Sequence, residues 1–551
     1  MNNYDVVIIG GGPAGSTIGC LAKKYMPQLN VLILEKEQFP RHHTGESLLA
    51  GATPVLHEME VYDKVDSFGF PEKLGATFIW GHGREPWGFE FSEVGTHLER
   101  DGVALPKYFT KGWQVTRHDY DKLLLDHARE FGVEVKEGCR ATEPLQDSNG
   151  TMIGVEYVEG STTHRVESGW VMDCSGQDGW LANQFDLRVY DARMNNLALY
   201  GYWQDAKWKF EYVGYPNLTR IFIVSTPRGW IWYIPVRENV ISVGFVTHTT
   251  LYRERELRPY EAYSEEINGC SEITELLEGA KLVRLTPDQK QDIMTIRDWS
   301  YVCRQLYGDG WAMAGDAGAF VDPVLSSGVM LAHEVGQKAA YTINSMFNLG
   351  SVARTWLWDF YQSTVLQMVK AYQEMVAFWY TYNKSMESWW WEAKRLLMSR
   401  DGVFDRQAFV LAASGYAGRL ESLSLFGSYD YEEAKEICGG LFGSEWTEEP
   451  LRERYAGRPL KLHDQVEFVD GQYFFQGFVR TTDRIVNQTT GRYLDLRPAE
   501  LDLIARLDGR YTLAELEAYW RTMSEENEDY ALRSRQPLEL VHQLNEIGVL
   551  A

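Results

Sequence analysis

Three glycines and one acid carry the first recognisable chemistry. In "YDVVIIGGGPAGS", a β-branched run from Val6 to Ile9 leads through Gly10, Gly12 and Gly15 into an Ala/Ile/Leu-rich segment. Between a strand and a helix, the first glycine of G-x-G-x-x-G makes the tight turn. The second lets the backbone approach a pyrophosphate, and the third lets helix and strand pack closely. Ala14 lies within the same loop. A second strand-like run, "NVLILEK", places Glu35 where a carboxylate binds a ribose hydroxyl pair. Two further stretches have reactive character. "EKLGATFIWG" carries Lys73 at the start of a small and apolar run, where burial disfavours the ammonium form. "DPVLSSGV" puts Ser327 and Gly328 ahead of a helical pattern, and the N–H groups at such a helix start attract anions. Each has a plainer alternative, a snorkelling strand-edge lysine for Lys73 and a Ser-rich N-cap for Ser327 and Gly328.

Several elements must position these residues. "LYGDGWAMAGDAGAFVDP" reads as a strand, Trp311 to Ala314, before Gly315 and Asp316, with a turn and then a helix from about Val329. "WQVTRHDYDKLLLDHA" sets Arg117 before an acidic N-cap and a helix, and "MDCSGQDG" ends a strand at Met172 to Gly179. "GWIWYIPV" reads Trp230-x-Trp232-x-Ile234-Pro235, whose residue types suit a core strand. Beyond a helix at about 330 to 347, apolar residues recur at helical spacing through Leu366, Val369, Tyr372, Met375 and Val376. The surplus aromatics Phe378, Trp379, Tyr382 and Trp389 to Trp391 suit the wall of a planar-substrate pocket.

The Asp316 segment resembles the second flavin motif of the aromatic-hydroxylase-like flavoproteins, which implies FAD rather than a nicotinamide dinucleotide. The WxWxIP string, Gly45-Glu46-Ser47, Lys73 in K-x-G-A-T-F and Asp322 to Val329 together resemble the flavin-dependent halogenases, over roughly residues 1 to 380. Within that family the chain is more similar to the branch acting on phenolic, pyrrolic or carrier-bound substrates. The resemblance implies that reduced FAD, O2 and chloride or bromide yield hypohalous acid. Gly10, Gly12, Ala14, Gly15, Glu35, Glu46, Arg117, Asp316 and Pro323 would line the FAD site, and backbone N–H groups of Ser327 and Gly328 would face the halide. Lys73 would hold the oxidant or a haloamine and deliver halogen to one ring position. Trp230, Trp232, Ile234 and Pro235 would be structural gatekeepers that keep organic substrate off the flavin. One departure is Leu325, where tryptophan-specific members carry a glutamate before the Ser/Thr-rich turn. Its absence favours a ring that stabilises its own cation. Asp298 in "IRDWSY" is either a substitute carboxylate or a strand-end residue. No second nicotinamide motif appears, so a separate flavin reductase is expected as partner. An FAD-dependent aromatic hydroxylase is the alternative reading.

The fold expected is α/β: a Rossmann-like FAD-binding domain of the aromatic-hydroxylase type with an inserted β-rich substrate domain, then a mostly helical C-terminal region. Residues 1–385 form the catalytic body, with FAD parts at about 1–60, 108–185 and 295–345 and substrate parts at about 61–107 and 186–294. A helical linker covers 386–464. At 465–551, two short strands flank Thr489-Thr490-Gly491, and Thr512-x-x-Glu515 reads as a capping box. This module resembles small winged-helix domains that bind peptides in natural-product pathways, and a domain that only packs on the body fits equally. The net charge of −24 speaks against a nucleic-acid surface. Six dispersed cysteines without CxxC spacing give neither a metal site nor a disulfide framework. With no apolar run of ~20 residues and no basic leader before "YDVVIIG", a cytoplasmic protein without a membrane span is expected.

Overall fold

The computed structural model describes residues 3–80, 84–92, 111–208, 218–350, 354–382, 448–496, 498–526 and 536–550. The chain divides into two compact units, Met1–Val403 with Val410–Gly415, and Phe404–Phe409 with Tyr416–Ala551.

The first unit holds two large sheets. In the first, β1 (Asn3–Ile9) leads through the glycine loop into α1 (Pro13–Tyr25), which returns to β2 (Val31–Glu35) beside β1 in parallel register, Val6 opposite Val31. Helices cover such a sheet on both faces, and its inner strands therefore read as continuous apolar runs; Val6, Val7 and Ile8 are fully buried. The second sheet starts with β3 (Glu72–Ile79). The chain then returns to the first sheet through α2 (Arg117–Glu130), β4 (Glu134–Glu137) beside β2, and β5 (Thr162–Asp173) beside β1.

The second sheet is built mainly from β6 (Arg188–Gln204), β7 (Leu218–Thr226), β8 (Gly229–Arg237), β9 (Val240–His248) and β10 (Met294–Cys303). Its central order is β10-β6-β9-β8-β7-β3, antiparallel except where β7 runs parallel to β3. Residues 295–303, assigned from sequence to the flavin part, pair with β6 and so belong to this second sheet. β11 (Trp311–Met313) closes the first sheet against β5 and precedes α3 (Gly328–Leu349) and α4 (Arg354–Tyr382). One face of the second sheet packs Phe222, Val224, Ile231, Tyr233, Val243 and Phe245 against a helical layer that includes Ala262, Tyr263 and Ile267. The other face is left for the site.

The second unit has its own core, centred on Ile485, Leu494, Leu503, Leu516, Val541 and Leu544. It contains an antiparallel hairpin, Val466–Phe475 with Phe478–Asn487, joined by Tyr493–Asp495. The helices Leu513–Glu526 and Pro537–Glu546 complete it. The capping box at the first of these is formed: Thr512 N–H donates to Glu515 Oε2 at 2.8 Å and Glu515 N–H faces Thr512 Oγ1 at 3.4 Å. Asp508 and Gly509 open the strand Asp508–Thr512 that leads into the first of these helices. Of the expected helical linker, the described residues show the helix Glu448–Tyr455 and the strand Pro459–Lys461; 386–447 lie outside them. Among the described residues, no helix is long and apolar enough to cross a membrane.

Candidate active site

Three helices begin at one cavity of about 1110 Å³, through Gly12, Pro13 and Ala14 of α1, Arg117 of α2, and Ser327, Gly328 and Val329 of α3. Each helix start presents N–H groups without intrahelical partners and a partial positive charge. A buried histidine ties the three together. His333 Nδ1 lies 2.8 Å from Thr17 Oγ1 on α1, and its Nε2 lies 2.8 Å from Tyr120 Oη on α2. Thr17 already donates to Pro13 O at 2.7 Å, so Nδ1 carries the ring proton and Nε2 accepts from Tyr120. Burial pushes the His333 imidazole down to about 3, which keeps the ring neutral.

At one end of the cavity the glycine loop fits a dinucleotide. A Cβ at Gly10 would stand 2.3 Å from Cys174 O, and one at Gly15 would stand 2.0 Å from Gly10 O, so neither position accepts a side chain. Gly12 is different: only Arg41 Nη2, at 3.8 Å, comes near, and the backbone is open towards the cavity. Glu35, 4% exposed, receives Gly11 N–H at 2.7 Å and Glu37 N–H at 2.9 Å. These bonds fix the carboxylate at the cavity wall.

Further along, Arg117 is buried and held bidentately by Asp121, Nε to Oδ1 at 2.7 Å and Nη2 to Oδ2 at 2.9 Å. Its Nη1 donates to Thr44 O at 2.5 Å and so clamps the loop leading to Glu46. Burial pushes the Asp121 carboxyl up, but the charges of Arg117 and Arg41 outweigh it and hold the group below the usual carboxylate range. Asp316 lines the wall opposite; burial raises it to about 6 against the opposing pull of Arg117 and Arg188. Burial likewise raises Glu46 to about 7, although its carboxyl accepts Tyr202 Oη at 2.6 Å and a hydrogen bond from Ser242. Pro323 also lines this part of the cavity.

The face of the second sheet away from its helical layer forms the other wall. Ile221 and Ile223 of β7 and Trp230, Trp232 and Ile234 of β8 point into the cavity, while Pro235 does not line it. Each indole N–H is engaged: Trp230 Nε1 donates to Tyr380 Oη at 3.0 Å, and Trp232 Nε1 to Ser242 Oγ at 3.2 Å. Trp232 lies flat over Gly244 on the paired strand, where a Cβ would come within 2.1 Å of the ring.

Lys73 shares this face because of one irregularity. Between Thr219 and Arg220 the β7–β3 register skips a residue, so Leu74 is the extra residue. Thr219 pairs with Lys73 and Ile221 with Ala76, and side chains opposite one another share a face. The bulge therefore turns Lys73 to the side that Ile221 and Ile223 present to the cavity. Lys73 is 1% exposed and is not among the residues lining the cavity, from which β7 separates it. Its Nζ lies 5.3 Å from the Phe91 ring centre. Burial alone pushes the amine down to about 7.

At the start of α3, Asp322 Oδ1 accepts Val324 N–H at 3.0 Å and caps the short turn Pro323–Leu325. Ser326 follows in the left-handed region, φ 57°, and delivers the chain to Ser327 and Gly328. The Ser327 hydroxyl is buried and has no hydrogen-bond partner among the described residues. A Cβ on Gly328 would meet nothing within 4 Å. This is space for a small anion against N–H groups. Leu325 is buried and takes no part in lining the cavity.

The aromatic segment at the end of α4 turns inward. Trp379 is fully buried and stacks on Trp80 at 5.5 Å, so it packs the interior. The side chains of Phe378, Tyr382 and Asp298, and all of Trp389 to Trp391, lie outside the described residues. Sequence reasoning missed Tyr380, Asn196, Ser242, Tyr202 and His333. Only Asp322, standing directly before a proline in a turn-like string, carried a local signal.

The protein has recognisable relatives. The family profile described as "Tryptophan halogenase" matches residues 5–111 and 97–434. A tryptophan 2-halogenase of Chondromyces crocatus is 31% identical over 436 residues, covering 76% of this chain and 78% of the relative. A 1H-pyrrole-2-carbonyl-[peptidyl-carrier protein] chlorinase of Pseudomonas fluorescens is 30% identical over 398 residues, covering 69% of this chain and 84% of the relative. The solved structure of the myxobacterial chondrochloren halogenase CndH, a variant of FAD-dependent halogenases, superposes with a TM-score of 0.63 at 27% identity, covering 80% of this chain and 97% of that one.

Proposed function

The chain belongs to the flavin-dependent halogenases, and from that premise we propose that it places chlorine or bromine on an electron-rich phenol or pyrrole, free or carrier-bound, with Lys73 handing over the halogen. FAD, when bound and reduced, would supply the two electrons with which O2, the oxidant, converts halide into hypohalous acid and water. Gly10, Gly12, Ala14, Gly15 and Glu35 would hold its adenosine and pyrophosphate end, and Glu46, Arg117, Asp316 and Pro323 its remainder. The N–H groups of Ser327 and Gly328 would hold the halide, with the Ser327 hydroxyl, which has no partner among the described residues, beside them. Trp230, Trp232 and Ile234 wall the cavity against an organic ring.

The observation that carries this reading is the amine of Lys73, buried on the cavity face of the sheet and without an ion pair among the described residues. At about 7 the amine is neutral for much of the time near neutral pH. A neutral amine offers a lone pair to electrophilic halogen, whereas an ammonium offers none. Leu325 leaves the turn before Ser326 without the carboxylate of tryptophan-specific members, and general acid–base help is commonly worth ~10²–10⁴-fold. A phenol or pyrrole offsets that loss through its own reactivity, and the pyrrole-carrier relative supports the same class. The β-rich second sheet would act as the substrate domain inserted in the flavin domain. A winged-helix-like C-terminal module would hold a carrier or peptide, and a separate reductase would supply reduced flavin.

The test supplies FAD-loaded protein with a flavin reductase, NADH and bromide, and offers phenols, a carrier-bound pyrrole and free tryptophan in competition. Brominated phenol or pyrrole should dominate by mass spectrometry. Tryptophan winning by a clear margin overturns the substrate class. Regioselective product from Lys73→Ala overturns the role of the lysine, and useful turnover with NADH alone removes the need for a reductase.

A further inference from the structure

The hydroxyl of Tyr380, in the last turn of α4, stands at a junction that none of the steps above uses. Trp230 Nε1 donates to it at 3.0 Å, and Asn196 Nδ2 approaches at 3.4 Å. Asp322 Oδ1 and Oδ2 lie at 3.1 and 3.2 Å. Asn196 Nδ2 also donates to Asp322 Oδ2 at 3.0 Å. Trp230, Tyr380 and Asp322 are all buried, at 1%, 0% and 2% exposure. Polarity follows from the donor inventory. An indole N–H and an amide NH2 only donate, so the single phenol proton goes to the Asp322 carboxylate. The order is then Trp230 N–H to Tyr380 O–H to Asp322, and the last bond is charge-assisted.

That carboxylate also caps the turn Pro323–Leu325, through Val324 N–H at 3.0 Å. The turn ends at Ser326, whose left-handed backbone, φ 57°, carries a conformational cost for a residue other than glycine. Such a turn needs external support to hold Ser327 and Gly328 in one place. The support is itself fixed: Trp80 Nε1 donates to Trp379 O at 2.9 Å, and the Trp80 and Trp379 rings stack, which anchors the helical turn carrying Tyr380.

We infer that Tyr380 is a positioning residue for the halide loop, tying its Asp322 to the Trp230 wall so that the Ser327 and Gly328 N–H groups face the cavity at a fixed point. The inference rests on the reading of Ser327 and Gly328 as the halide cradle. Tyr380→Phe keeps the ring and its packing and removes only the hydroxyl. In FAD-loaded protein, bromide and iodide are titrated against flavin fluorescence, and bromide KM, kcat and FAD Kd are measured alongside. The halide response should weaken about tenfold, the scale of one buried hydrogen bond to a charged group, with bromide KM rising in step. FAD Kd should stay within about twofold. A wild-type halide response in Tyr380→Phe overturns the inference, and so does a parallel loss of FAD affinity, which would mark a merely structural part. Gly328→Ala separates this from the cradle reading, because its methyl enters the open space before α3. If Gly328→Ala leaves the halide response unchanged, the cradle reading fails and the inference with it. If Gly328→Ala weakens the response and Tyr380→Phe does not, only the assignment of Tyr380 fails.

Discussion

Replacing Lys73 with methionine should make the protein more stable while removing halogenation. Burial carries this amine from its usual 10.5 down to about 7, and at about 1.4 kcal/mol per pH unit the fold gives up about 5 kcal/mol to keep a lysine there. The sign follows from proton counts. Between pH 7 and 10.5 the unfolded chain still holds a proton that the folded chain has lost, so wild-type stability rises with pH across that window. Below 7 both states are charged and the penalty is complete. Methionine is similar in length and apolar, and it removes the penalty at every pH. The gain of Lys73→Met over wild type should therefore reach up to about 5 kcal/mol at pH 6.5, about 3 at pH 8 and about 1 at pH 9.5. Guanidinium unfolding of FAD-saturated protein, followed by the release of flavin fluorescence, reports on the unit that contains the site. A variant no more stable than wild type at pH 6.5, or a gain that does not shrink by pH 9.5, refutes the argument that the lysine is buried without compensation. On the proposed role of Lys73, the same pKa would set activity. Wild-type halogenation should rise as the amine deprotonates, reaching about a tenth of its plateau at pH 6, and Lys73→Met should consume reduced flavin without halogenated product.

Glu46→Gln should act in the opposite pH window. Burial raises this carboxyl to about 7 from 4.5, so between those values the folded state holds a proton the unfolded state has lost, and stability falls as pH rises. Glutamine should stabilise the protein by up to about 3 kcal/mol at pH 7.5 and by nothing at pH 4.5; equal gains at both pH values in the same unfolding assay would refute the assignment. Gly244→Ala should drive the Trp232 ring off its bed, since the new methyl would stand 2.1 Å from it. FAD affinity measured by fluorescence quenching should drop tenfold or more, and unchanged affinity would show that the ring relocates without cost.

Much of the local backbone around the glycine loop was legible because its determinants are local. The glycine loop, Glu35 and the strand before Asp316 lie within short stretches whose geometry follows from residue type. WxWxIP was legible as a strand for the same reason, with alternate residues on one face. Less visible was anything set by register. That Lys73 faces the cavity side depends on the single skipped residue at Leu74, and a one-residue shift moves a side chain to the other face. The partners of the two tryptophans were hidden by distance along the chain: Tyr380 lies 150 residues from Trp230. Trp379 looked like surplus aromatic surface for a substrate and proved to be interior packing, because sequence spacing does not say which side of a helix finds a neighbour.

The two signature tryptophans do more than fill space. If bulk were the whole requirement, phenylalanine would serve at both positions, since it packs as well on an apolar wall. Each indole N–H instead meets a hydroxyl that in turn meets a buried carboxyl, Tyr380 and Asp322 behind Trp230, Ser242 and Glu46 behind Trp232. The one carboxyl leads to the Ser327 loop and the other to the loop clamped by Arg117. Residue spacing makes this possible. Trp230 and Trp232 face the cavity, while Ile231 and Tyr233 between and after them fill the opposite core. Pro235 then falls at a register shift against β9, where the ladder is broken and a missing N–H is tolerated. The motif therefore reads as a strand that braces two loops at fixed points of one wall, and its indoles are bound to their positions by hydrogen bonding as much as by volume.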